Sequence, residues 1–393
     1  MYRVGMIVPS SNTCLEPTTS RMLSEIDRVS VHFARVPVTR IGLDPAADSQ
    51  FGTEPMLAAA RSLADAGVDI IAWNGTAGSW LGIDHERALC AALAEATGIE
   101  VTTSTLALLE ACRAYGVTRL GLVVPYTTEV TERLRAVYRD AGIDCVTEEH
   151  LGLTDNAAFA EVPEARVRRM VIAAGTGGAH AVAVVCTNVF GAAVAAGAEA
   201  ELGIPVFDSV TATLWRTLRA TGARLPGWGD LTWAGNVRNE FQRTAEALLD
   251  ATGADRTTLR IDLPELGLQV DLTAAEALRD GVRSIRRDAS LDQRRLNTVE
   301  WLEKHRELLV QDHFRDDPQP PIALREVYGV RAQMLGPVVR GEAMAGWLSV
   351  HSLREREWGE ADRKSLNVAV DAIAQILDDA EIATRSLRPV VTE

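Results

Sequence analysis

Residues 3–9 read RVGMIVP and residues 119–125 read RLGLVVP. Each is a buried-strand pattern that begins on an arginine and stops at a proline. Two further pairs keep the same order. VDIIAWNGT at 68–76 corresponds to HAVAVVCT at 180–187, which sets Gly75 against Cys186 and Thr76 against Thr187; GIEVTTS at 98–104 corresponds to GIPVFDS at 203–209. The pairs lie 116, 111 and 105 positions apart, so residues 1 to about 221 read as two copies of one unit with small length differences. Helix-period segments such as PMLAAARSLADAG at 55–67 and EVTERLRAVYRDAG at 129–142 fall between the strands. Strands alternating with helices predict an α/β protein built as two pseudo-symmetric, doubly wound parallel-sheet halves, about 1–115 and 116–221.

In such sheets ligands bind beyond the carboxyl ends of the strands. The loops there are PSSNT at 9–13, NGTAGS at 74–79, PYTT at 125–128 and CTNVFG at 186–191. Two copies with those edges facing each other enclose one small polar cleft. A thiol at Cys186, after the apolar run AVAVV, serves as nucleophile or proton donor, or else as a buried structural cysteine. Cys90, Cys112 and Cys145 read as structural, and Cys14 is intermediate because it adjoins PSSNT. NGTAGS offers hydroxyls and exposed amides suited to a carboxylate or an enediolate, although a plain turn has the same composition. Asn12 and Tyr126 stand at corresponding strand ends as hydrogen-bond donors, with an N-cap and a packing residue as their plain alternatives.

Composition narrows the function. The 393 residues carry a formal charge of −14, with a pI near 5.1, which leaves no excess of base for nucleic acid. No stretch reaches the ~20 apolar residues of a membrane span. The start MYRVGMIVPSSNT lacks the features of a signal peptide and predicts a cytoplasmic protein. Five scattered cysteines without CxxC spacing argue against disulfides or a cysteine-rich zinc site. There is no GxGxxG after a strand, no GxxxxGK[ST], no HExxH and no GxSxG with a paired histidine, and the seven histidines fall outside the four loops. What remains is chemistry run by one thiol and a set of hydrogen-bond donors.

The repeat, VPSSNTCLEP, PYTTEV and VVCTNVFG together resemble the aspartate/glutamate racemase superfamily, in its maleate isomerase and arylmalonate decarboxylase branch. The resemblance covers residues 1 to about 250 and implies a cleft that binds a small carboxylate without a cofactor. It further implies one cysteine from each half in members that racemise or isomerise, and Gly-Thr opposite a single cysteine in the arylmalonate decarboxylases. Gly75-Thr76 and Cys186 follow the second pattern. Asn12, Asp155-Asn156 and Thr187-Asn188 look more like the isomerase relatives. The resemblance therefore implies a malonate-type substrate whose enediolate is stabilised by Thr76, Tyr126 and the amides near Ala77 and Thr187. In that reading Cys186 supplies the proton, and Asn12, Asn156 and Asn188 position the retained carboxylate. A maleate-type isomerase or racemase is the alternative, and a non-catalytic carboxylate sensor a third.

The first domain is expected to span 1–250, with NEFQRTAEALLDA as its closing segment and a boundary at 251–258. Helix-period stretches at 273–286 and 295–311 are followed by VRAQMLGPVVRGEAMAGWLSVHS at 330–352, read as strands joined at Arg340-Gly341-Glu342, and a closing helix from about Glu360. That order resembles an α+β GAF domain over residues 260–386, which implies a small-molecule effector or dimerisation and hence a homo-oligomer. Trp347 and His351 are its candidate pocket residues.

Overall fold

The computed structural model describes residues 1–264, 267–288, 292–315 and 317–386. The chain divides into two compact units: one of residues 1–113 and 117–236, the other of 114–116 and 237–393.

The first unit holds two four-stranded parallel sheets. One is built from β1 (Tyr2–Pro9), β2 (Val29–Val36), β3 (Ile70–Trp73) and β4 (Glu100–Thr103); the other from β5 (Arg119–Val124), β6 (Asp144–His150), β7 (Ala181–Val184) and β8 (Val206–Asp208). Their strand orders are β2-β1-β3-β4 and β6-β5-β7-β8, so each half repeats the same winding. The central strands β3 and β7 are buried from end to end, as parallel sheets covered on both faces require. The glycine shared by the two opening motifs has a packing reason: a Cβ at Gly121 would stand 2.1 Å from the carbonyl oxygen of Ala174, at the end of the helix Glu164–Ala174. A helix of the second half also packs on the sheet of the first. Ser209–Leu218, which follows β8, buries Val210, Leu214 and Leu218 against Val4, Met6 and Val8 of β1, and Thr213 Oγ1 donates to Ser104 Oγ at 2.8 Å.

The helix Asp230–Thr252 runs through the point at which the units part. Beyond it an antiparallel sheet forms in the order β10-β9-β13-β12-β11 from β9 (Arg256–Ile261), β10 (Ala275–Leu278), β11 (Leu309–Gln311), β12 (Ala332–Arg340) and β13 (Ala343–Ser352). The hairpin turn falls at Gly341, whose φ of 57° suits glycine, and the helix Glu360–Ser386 packs on β12. The stretches read as helical at 273–286 and 295–311 come out differently. Ala275–Leu278 pairs with β9 as a strand, and only Asn297–His305 is helical. Glu276 explains the first difference, because its carboxylate faces inward and accepts from the Ile285 N–H at 2.8 Å and from the Ser284 hydroxyl. No helix among the described residues is long and apolar enough to cross a membrane.

Candidate active site

The four loops named from the sequence lie at the carboxyl ends of β1, β3, β5 and β7. Pro9 ends β1 and Pro125 follows β5. Thr127 then caps the helix Thr128–Asp140 through Val130 N–H, which leaves Tyr126 held between strand and helix.

Tyr126 joins the two halves. Its hydroxyl lies 2.8 Å from Thr76 Oγ1 and favours ionisation of the Cys186 thiol. The ring is fixed edge-on against Trp80 at 5.2 Å and against Phe159 at 5.6 Å, with Phe51 on the far side of Trp80. Cys186 follows β7 with 2% of its surface exposed, and Asn188 N–H points at its sulfur at 3.4 Å. Burial pushes the thiol up to about 12; the Asn188 N–H and Tyr126 hydroxyl oppose that shift and the nearby Asp208 adds to it. Burial also lifts Tyr126 well above the usual phenol range. Both groups therefore carry their protons at neutral pH.

The asparagines tie the loops of one half to those of the other. Asn12 Nδ2 donates to Thr187 Oγ1 at 3.1 Å, and that hydroxyl donates to the Asn74 carbonyl at 2.9 Å. Asn12 Oδ1 accepts from Cys14 and Leu15 N–H at the start of the helix Leu15–Met22. Asn188 Oδ1 accepts from Thr13 and Cys14 N–H, while its Nδ2 donates to the Asn156 carbonyl at 2.6 Å. Asn156 Nδ2 in turn donates to Ser11 Oγ at 2.7 Å. The Thr76, Ala77 and Thr187 N–H groups, all on buried residues, donate to no protein acceptor among the described residues. Buried amides without partners are what an anion-binding site presents.

Cys186, Asn12, Gly75, Thr76, Ala77, Tyr126, Asn156, Thr187 and Asn188 thus fall in one cluster of loops. Cys14 lies beside them, its sulfur 3.7 Å from Thr18 Oγ1 and its acidity also weakened, to about 12. Cys112 and Cys145 are buried elsewhere in the unit, in a helix and in β6. Among the described residues no group of three His, Cys, Asp or Glu side chains is placed to hold a metal.

Three features escape a reading of the sequence. The Trp73 indole lies against Gly75, so a Cβ there would stand 2.2 Å from the ring. Glu86 is fully buried beneath NGTAGS, its carboxyl occupying the space that Gly78 leaves open, since a Cβ there would meet its Cγ at 1.8 Å. Asp208 is equally buried behind CTNVFG. Only Asp208 leaves a signal, as the single acid at a strand end where the other copy has Thr103.

The sequence profile of the arylmalonate decarboxylase family matches residues 4–231, more than half of the chain. The chain belongs to the arylmalonate decarboxylase family. Residues 236–377 match the GAF domain. The arylmalonate decarboxylase of Bordetella bronchiseptica is 28% identical over 234 residues, covering 58% of this chain and 95% of the relative. A maleate isomerase of Pseudomonas putida is 27% identical over 245 residues, covering 59% and 97%. Among solved structures, a cysteine-to-alanine maleate isomerase from Pseudomonas putida with maleate superposes with a TM-score of 0.54 at 26% identity, over 59% of this chain and 97% of that one. A double mutant of arylmalonate decarboxylase, glycine to cysteine and cysteine to serine, in its liganded form, gives 0.54 at 26%, over 59% and 98%. Members of the arylmalonate decarboxylase family are enzymes, decarboxylases or isomerases, and relatives of both kinds stand at nearly equal distance from this chain.

Proposed function

We propose that this protein is a cofactor-independent decarboxylase of a small malonate-type dicarboxylate. The observation that carries the reading is the asymmetry of the site: Cys186 is a buried, protonated thiol, while the corresponding Gly75 has no thiol and the Trp73 indole fills the space where one would stand. The carbon–carbon bond to one carboxylate breaks, CO2 leaves, and the bonding pair passes into an enediolate. Thr76, Tyr126 and the Ala77 and Thr187 amides donate to the enediolate oxygens, a single such donor being worth ~3 kcal/mol of barrier. The Cys186 S–H proton goes to the α-carbon from one side, and the thiolate recovers a proton from water. Asn12, Asn156 and Asn188 hold the loops around the retained carboxylate.

Isomerisation of a maleate-type substrate is the second reading, favoured by the asparagine network and by the maleate isomerases among the relatives. The GAF domain supplies a site for a small-molecule effector or a dimer contact. It holds a cavity of about 50 Å³ that Trp347 and His351 both line, together with Arg260 and Gln333.

The test incubates the full chain with phenylmalonate and with maleate and follows CO2 and fumarate. CO2 release that Cys186→Ala abolishes supports the proposal. Fumarate without CO2 replaces it with the isomerase, and tight binding without turnover replaces it with a sensor.

A further inference from the structure

Asp208 is the last residue of β8 and pairs in register with Val184 of β7, two residues before Cys186. Its Oδ1 accepts from Val210 N–H at 2.8 Å and Thr211 N–H at 3.0 Å, which caps the helix Ser209–Leu218. Its Oδ2 has no hydrogen-bond partner, although the residue is fully buried. The cap alone needs one oxygen, and Ser or Asn supplies it without a charge. Burying a second, unpaired carboxyl oxygen is costly. Space for it is nonetheless kept. A Cβ at Gly191, where the loop that starts at Cys186 ends, would stand 2.5 Å from Oδ2 and 2.9 Å from Val184 Cγ1. Ser209 Oγ donates to the Val184 carbonyl at 2.8 Å and pins the strand end beside it. The first half has uncharged Thr103 at this position and no thiol at Gly75, so the carboxyl accompanies the sulfur.

We propose that Asp208 is the positioning residue that keeps Cys186 in its thiol form, by fixing a buried carboxyl beneath the loop that carries the sulfur. A negative charge there opposes formation of a second one on sulfur, and it disfavours ionisation of both Cys186 and Cys14. Asp208 itself is pushed up to about 7 by burial. The charge is therefore present above neutrality, the range in which a thiol begins to ionise. The other groups acting on Cys186 are the Tyr126 hydroxyl and the Asn188 N–H, and both favour the thiolate. Burial is the main counterweight to them, and the Asp208 carboxyl adds to it. After each turnover it would also hasten the return of a proton to the sulfur.

The inference rests on Cys186 as the proton donor, but its test reads the sulfur directly and not turnover. The full chain, Asp208→Asn and Asp208→Ser, both of which keep a capping oxygen, are alkylated with iodoacetamide from pH 6 to 11, and each cysteine is quantified by peptide mass spectrometry. Loss of the charge is expected to speed Cys186 labelling at pH 8 about tenfold, the size of a one-unit change in acidity. Cys90, Cys112 and Cys145 should keep their wild-type rates. A Cys186 profile unchanged in a folded variant overturns the proposal. So does an equal rise at all five cysteines, which would mark loosening of the fold. If the shift appears and no malonate is decarboxylated, Asp208 retains its role and the proposed reaction falls.

Discussion

A thiol that ionises only near pH 12 gives its proton readily to a carbanion yet is a poor nucleophile at neutral pH. Cys186→Ala should therefore lower kcat for decarboxylation by about 10²- to 10⁴-fold, the usual worth of a positioned proton donor. Steady-state kinetics check it, and a loss of less than tenfold would remove the sulfur from the proton path. Tyr126→Phe deletes the hydroxyl that pairs with Thr76 and acts on Cys186. It should cost about 10²-fold in kcat with little change in KM, since the bond strengthens as charge develops. Gly75→Cys drives a Cβ into the Trp73 ring, and overpacking of this kind costs about 1–3 kcal/mol. Trp73→Val removes that obstacle, so in thermal melts the two changes together should cost less than their sum. Strict additivity would mean that the indole does not guard the position.

At the scale of elements, strands and loops are legible because each copy of the repeat corroborates the other: PSSNT, NGTAGS, PYTT and CTNVFG all sit at carboxyl ends of parallel strands. The single-copy region is harder to read. Ala275–Leu278 has the apolar content of a helix, and only the inward demand of Glu276 and pairing with β9 make it a strand. The asparagines are legible as site residues but not as ties between the halves, since their partners in the other half lie 145 to 175 residues away in the chain. Glu86, in the helix Ile83–Thr97, was hidden for a similar reason: nothing local says that Gly78 makes room for it. Burial raises its carboxyl to about 7, with the Thr103 hydroxyl and Gly78 N–H only partly offsetting that shift. The folded state thus binds this proton more tightly than the unfolded chain. Its stability is highest below about pH 4.5 as far as Glu86 is concerned, and falls as pH rises to about 7. Glu86→Gln keeps the shape without the charge and should raise stability at pH 8 by on the order of 2 kcal/mol, with little effect at pH 4. Urea titrations at both pH values decide it.

Over the whole molecule the two units carry buried ionisable groups of opposite kind. The first holds Glu86 and Asp208, acids made weaker by burial. The second holds His351, whose protonation is opposed by burial and by Arg256 and Arg260, so that it stays neutral well below its ordinary range. For His351 the unfolded chain binds the extra proton, and stability is lost as pH falls below about 6.5. Calorimetry of the full chain should show the transition of the first unit moving up, and that of the second moving down, between pH 7.5 and 5.5. Glu86→Gln should flatten the first trend and His351→Gln the second. Two transitions that shift in the same direction would contradict this assignment. The same measurement serves the cavity of the GAF domain, since a ligand seated against Trp347 should raise only the second transition.

The packing of Ser209–Leu218 on the first half has a further consequence. Two separate, identical subunits meeting about a two-fold axis must present the same residue to both sides of a ligand on that axis. Here the copies are joined in one chain and share a core through Ser209–Leu218, so the axis is only approximate and each side is free to differ. Glycine can face cysteine, and Thr103 can stand where the other copy has Asp208. Covalent union of the halves is what lets the two sides of one site carry different residues.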